Sequence, residues 1–188
     1  MTALIHGKIG NYTWNKLYRK DAFQGISFPV GRYYEDVDIL CEVLSNSGSI
    51  KVLDTAKYHY RQRAFSITNS HSGKNLFDYA DAYLTRLKYL EEQQPQIFAE
   101  NKDEILQSVA TGFFRVWRWW YGCTDKEKEH YANKLDEYVR FSREQFSAFG
   151  MKSWPISTRL ATFFIRRKSR MGFGFLYHLN QLCRHHGS

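Results

Sequence analysis

The chain has 188 residues, 43% hydrophobic and 17% aromatic, enough to fill the core of one domain with a helical appendage. With 24% charged residues, few prolines and no apolar run near the ~20 residues that span a bilayer, disorder and a membrane-spanning segment are excluded. The N-terminus MTALIHGKIG lacks the apolar region of a signal peptide, so the expectation is a protein kept in the cytoplasm.

Residues 1–13 read as a lead-in, and Trp14–Arg19 as a strand or an extended site segment. A short turn over Ala22–Phe28 follows, and Pro29 and Gly31 then break the chain. Val37, Ile39, Leu40, Val43 and Leu44 recur at helical spacing, which predicts a helix over Glu35–Ser45 closed by Gly48. Ile50–Leu53 and Lys57–Arg61 are β-like runs. After the polar stretch to Lys74, Leu76, Ala80, Tyr83, Leu87 and Leu90 mark a helix ending at Pro95. A second carries Leu106, Val109, Phe113, Trp117 and Trp120 on one face up to Gly122. Thr124 and Glu127 have capping-box spacing for a third. Pro155 opens a fourth, broken near Gly172, and a last short helix ends the chain. The expected division is an α/β block over 1–70 and a helical region over 71–188.

Glu35 and Asp36 fall in the first turn of the predicted helix. A carboxylate there suits a general base: the helix dipole favours its ionised form, while the neighbouring acid opposes it. Acids in a first turn also stabilise helices generally, and spacing alone leaves both readings open. Asp36-Val37-Asp38 has the spacing of a metal-binding D-x-D. In that motif an apolar strand precedes the acids, whereas here Gly31-Arg32-Tyr33-Tyr34 precede them. No metal is therefore assigned to the pair.

Cys41, Cys123 and Cys183 are isolated and odd in number, which argues against a disulfide framework or a zinc site. The seven histidines have no ligand spacing. The net charge of +8 belongs to the last quarter: from Arg140 onward nine Lys or Arg face one acid, Glu144. Over about 154–186 large apolar residues alternate with Arg166, Arg167, Lys168 and Arg170. That pattern suits an amphipathic element on an anionic membrane surface, or a helix packed on the protein with a solvated basic face. The Trp and Phe residues at 113–120 follow helical spacing and no nucleic-acid motif is present, so no nucleic-acid partner is expected.

Four blocks in order carry a resemblance. Trp14-Asn15-Lys16-Leu17-Tyr18-Arg19 precedes the Phe28-Pro29-Val30-Gly31 turn, then Glu35-Asp36 with its aliphatic helix, then Tyr58-His59-Tyr60-Arg61 and Ser66-Ile67-Thr68. Together they resemble the acceptor-side portion of bacterial family 2 glycosyltransferases, which build capsule, exopolysaccharide or lipopolysaccharide chains. The resemblance covers about 60 residues and implies part of a GT-A fold, a nucleotide-diphospho-sugar transferase fold of α/β type. It implies Asp36 as catalytic base with Glu35 beside it. Lys16, Arg61 and Arg63, with the hydroxyls of Ser66 and Thr68, become candidates for a leaving diphosphate, and Trp14 for the acceptor pocket.

The nucleotide-binding half of that fold has no counterpart before the W-N-K block. The expectation is a truncated transferase or one working with a separate partner, inactive alone. A nucleotide sugar and Mg or Mn would bind only with that half. A glycan or lipid-linked acceptor, peripheral attachment to the inner membrane face, and self-association through exposed apolar surface are also implied. The alternative is a non-catalytic module, derived from the same fold, that binds a membrane or a partner.

Overall fold

The computed structural model describes residues 1–53, 55–61, 72–147, 151–169, 171, 172 and 174. The chain forms two compact units, residues 1–105 and 106–188. The helices, in order, are α1 Thr2–Ile5, α2 Glu35–Asn46, α3 Gly73–Gln93, α4 Pro95–Glu100, α5 Lys102–Gly122, α6 Asp125–Gln145 and α7 Ile156–Arg166. A 3-10 turn spans Lys20–Phe23. α5 runs from the first unit into the second.

Within residues 1–105, α2 packs against α3. Val37, Ile39, Leu40, Cys41, Val43 and Leu44 are buried on α2, and Phe77, Ala80, Ala82, Leu87 and Leu90 on α3. At about 1.5–3 kcal/mol per fully buried large aliphatic or Phe side chain, these stripes supply the main driving force for pairing. Ala22 brings the 3-10 turn onto the same core beside Ile39 and Val43, with Tyr18, Phe23 and Ile26 around them. The Ser72 hydroxyl accepts from the Asn75 N–H to cap α3, and Pro95 at the first position of α4 ends the run before it.

Within residues 106–188, the core is aromatic. Phe113 stacks on Tyr138 with centroids 4.3 Å apart, and Phe146 meets Trp154 edge-on at 5.3 Å. Thr124 and Glu127 form a complete capping box at the start of α6. At its other end the Arg166 guanidinium donates to the carbonyls of Ser142 (2.5 Å), Arg143 (2.9 Å) and Phe146 (2.5 Å), while Arg143 Nε donates to the Arg166 carbonyl at 2.8 Å. Arg166 thereby ties α7 to the carbonyl end of α6, where the last four C=O groups need donors.

The expected α/β class is corrected: the described residues are helical and contain no strand and no sheet. The β-like runs Ile50–Leu53 and Lys57–Arg61 are irregular, with every described residue in them exposed. A strand is held by a ladder to a neighbour, and no described segment offers one. Trp14–Arg19 forms a turn and an irregular stretch instead of a strand. Its nearby carbonyls are satisfied by a side chain: Lys16 Nζ donates to Gly10 O (2.7 Å), Tyr12 O (2.5 Å) and Asn15 Oδ1 (2.7 Å). The helix predicted after Gly174 lies outside the described residues.

Candidate active site at the start of helix α2

The approach to α2 is shaped by its entry. Gly31 has φ 75°, and Tyr34, the N-cap, is held at φ 62° and ψ 31° in the left-handed region. A bulky residue there costs on the order of 1–3 kcal/mol and persists where its surroundings fix it. α3 supplies the fixing. The Tyr34 hydroxyl donates to Asn75 Oδ1 (3.1 Å), the Tyr33 N–H donates to Asp78 Oδ2 (2.9 Å), and Tyr34 meets the Tyr79 ring edge-on at 4.9 Å. Lys74 pairs with Asp78 and lies over the Tyr33 ring, 5.0 Å from its centroid. The entry backbone is therefore aimed by side chains from a helix some forty residues further on.

Two carboxylates follow the turn. Glu35 is exposed and Asp36 half-buried. The Val37 N–H donates to Asp36 Oδ1 at 2.8 Å. Burial pushes the Asp36 carboxyl above the ordinary aspartate value of 3.8, and the charge of Glu35 adds to this, while the Val37 N–H and the Arg86 cation pull it back. The result is an ionisable group with a hydrogen bond to its charged form and a cation in reach, but little water.

Three further side chains share that field. Lys16 has its ammonium lowered in pKa by burial, opposed by the charge of Asp36. Tyr18 has its phenol pushed up to about 12 by burial and by Asp36. Its buried hydroxyl has no hydrogen-bond partner among the described residues. Arg86, on α3 and only 5% exposed, donates to Asn11 Oδ1 (2.6 Å) and to the Val37 carbonyl (3.3 Å) and lies over the Tyr83 ring. Asn11 in turn donates to the Tyr83 hydroxyl at 3.3 Å. The N-terminal loop, α2 and α3 thus meet at the Arg86 guanidinium, whose charge also acts on Asp36.

Burial and the charge of Asp36 act on the Lys16 ammonium in opposite senses. All three Lys16 donors already have acceptors within the loop, so a phosphate would bind it only by displacing one. Trp14 lies in the exposed part of the same loop, and Arg61 is exposed in an irregular segment. Arg63, Ser66 and Thr68 lie outside the described residues. Asp38 is buried and pairs with Arg32 at 3.3 Å. Two residues apart on a helix, Asp36 and Asp38 do not face each other. Among the described residues no group of three or more His, Cys, Asp or Glu is placed to hold a metal ion.

Arg86, Asn11 and Tyr18 were not singled out by sequence. For Arg86 a signal existed: it falls on the buried stripe of α3, three residues after Tyr83 and four before Leu90, where an unpaired arginine is costly. In the basic tail, Arg166 is taken up by α6 as described, Arg167 lies over Phe163 at 3.8 Å, and Lys168 pairs with Asp136. Arg170 lies outside the described residues. No helix among the described residues is long and apolar enough to cross a membrane.

No protein-family model matches the chain, and no solved structure matches it significantly. It is similar to a Bacillus subtilis (strain 168) protein named "Putative glycosyltransferase EpsH", with 29% identity over 106 residues, covering 50% of this chain. The match covers 31% of that relative's length. The similarity supports a relationship to glycosyltransferases.

Proposed function

We propose that this chain carries the catalytic carboxylate and acceptor side of an inverting glycosyltransferase acting in bacterial cell-surface polysaccharide synthesis. Asp36 takes the proton from an acceptor hydroxyl as that oxygen bonds to the anomeric carbon of a nucleotide sugar. The bond to the nucleoside diphosphate breaks, and the diphosphate leaves with its electron pair. Donor binding is assigned to no described residue.

The observation that carries the reading is the setting of Asp36: a half-buried carboxylate behind a strained, α3-fixed turn, with Arg86, Lys16 and Tyr18 in its field. Partial burial raises the Asp36 carboxyl above its ordinary value and so makes it a better proton acceptor, while the Arg86 charge favours its ionised form. The similarity to a named glycosyltransferase supports the same class.

The test is complementation of producing cells that lack the chain with the wild-type or Asp36→Asn form, scoring sugar incorporated into surface polysaccharide. Loss of a general base costs about 10²–10⁴ in rate, so incorporation should fall to background while the protein level holds. Wild-type incorporation by Asp36→Asn would instead favour the non-catalytic, partner-binding reading, which the fully exposed Leu17 and Val30 also suit.

A further inference from the structure

One surface in the first unit is not explained by packing. Tyr12, Tyr58 and Tyr60 each pack against the Trp14 ring, yet all four residues lie between 38% and 51% exposed. The Trp14 ring lies 4.7 Å from Tyr12 (interplanar 27°), 4.7 Å from Tyr60 (15°) and 4.7 Å from Tyr58 (34°). Tyr58 and Tyr60 are two apart in sequence and both reach Trp14, the spacing by which an extended segment presents two side chains to one side.

The loop beneath is preset. Lys16 holds the carbonyls of Gly10 and Tyr12. A Cβ at position 10 would come within 2.8 Å of the Tyr12 ring, so only glycine lets that ring lie where it does. The charge of Asp36 also acts on Lys16, so the loop that carries Trp14 lies in the electrostatic field of that carboxylate.

We propose that Tyr12, Trp14, Tyr58 and Tyr60 form a saccharide platform on which pyranose rings of the acceptor glycan stack. The inference rests on the glycosyltransferase reading above and adds a subsite to it. Aromatic faces are electron-rich, and the C–H bonds on one face of a pyranose ring are polarised to meet them. Tyrosine hydroxyls and the indole N–H around the rings suit sugar hydroxyls, whereas an aliphatic protein partner would leave them unpaired. A loop already fixed loses little entropy on binding.

Saturation-transfer NMR with the purified chain tests this, using chitotetraose, cellotetraose and maltotetraose as probes and uridine monophosphate as the nucleobase control. Binding of at least one tetrasaccharide is expected. Trp14→Ala should weaken it about tenfold, and Trp14→Phe should retain most of it. If Trp14→Ala loses its helical circular dichroism, Tyr60→Ala at the exposed end of the cluster serves in its place with the same expectation. No binding of any tetrasaccharide, or equal binding by these alanine variants, overturns the proposal. So does binding of uridine monophosphate alone, or concentration-dependent dimerisation that Trp14→Ala abolishes without any sugar binding. Because binding is read without turnover, failure of the platform leaves the Asp36 result standing, and the reverse.

Discussion

Arg86→Met removes a buried cation while keeping most of its length and volume. The guanidinium donates to Asn11 Oδ1 at 2.6 Å, a charged hydrogen bond of about 1.5–3 kcal/mol, and its loss strands a half-buried acceptor at roughly 1–3 kcal/mol. The two figures overlap, so they do not add in full. The Val37 carbonyl loses a 3.3 Å contact but keeps its place in the helical ladder. The net cost is therefore about 2–4 kcal/mol. With a urea slope of about 1.5 kcal/mol per molar for a domain of this size, the midpoint falls by roughly 2 M. The variant also acts on chemistry. Without the cation that opposes its protonation, the Asp36 carboxyl rises further. With Asp36 as the proposed base, which must be ionised to work, the acid limb of sugar transfer is expected to move to higher pH. Urea unfolding followed by circular dichroism, with the pH profile of polysaccharide incorporation in membrane preparations, measures both. An unmoved acid limb would refute the electrostatic role of Arg86, and a midpoint within about 0.3 M of wild type would refute its structural one.

Other outcomes follow from the same packing. Asp36→Asn should be as stable as wild type or more stable at neutral pH. The folded-state pKa lies above the ordinary 3.8, so Asp36's favourable contribution is complete below that value and lost as pH rises through the raised one. A loss above about 1 kcal/mol at pH 7 would contradict this, given that an Asn oxygen can still accept from the Val37 N–H. Tyr34→Phe, which takes the partner from the buried Asn75 oxygen, should cost about 1–2 kcal/mol in urea unfolding. No loss of stability would mean the α2 entry is fixed by something else. Arg166→Gln should cost about 2–4 kcal/mol through the carbonyls of Ser142, Arg143 and Phe146, and Arg167→Gln less than about 1 kcal/mol. Equal effects of the two in thermal melts would show that Arg166 does not cap α6.

The helices were legible where local rules act alone. α2 begins at Glu35 as its apolar period requires, and the capping box of α6 forms from Thr124 and Glu127 with both bonds made. Pro95 ended one predicted helix but was not read as opening α4, because Ile97 and Phe98 offer too short an apolar pattern to register as periodic. The β-like runs misled because alternation reports which side chains lie to which side, not whether a neighbouring strand exists. The acids of the site were visible in sequence, and their environment was not. Tyr34's left-handed backbone depends on Asn75, and Asp36's field depends on Arg86, fifty residues away. Contacts across that distance are set by how α2 and α3 pack, which no local motif encodes.

Cys41 lies in that α2–α3 seam, fully buried, its thiol pushed up in pKa by burial. A thiol in that state reacts with an alkylating reagent only when the two helices part. Its labelling rate is thus an internal clock for the breathing of the site, read in the native protein without denaturant. Ligands that tighten the loop, α2 and α3 around Asp36 would slow that clock, whether or not any sugar is transferred.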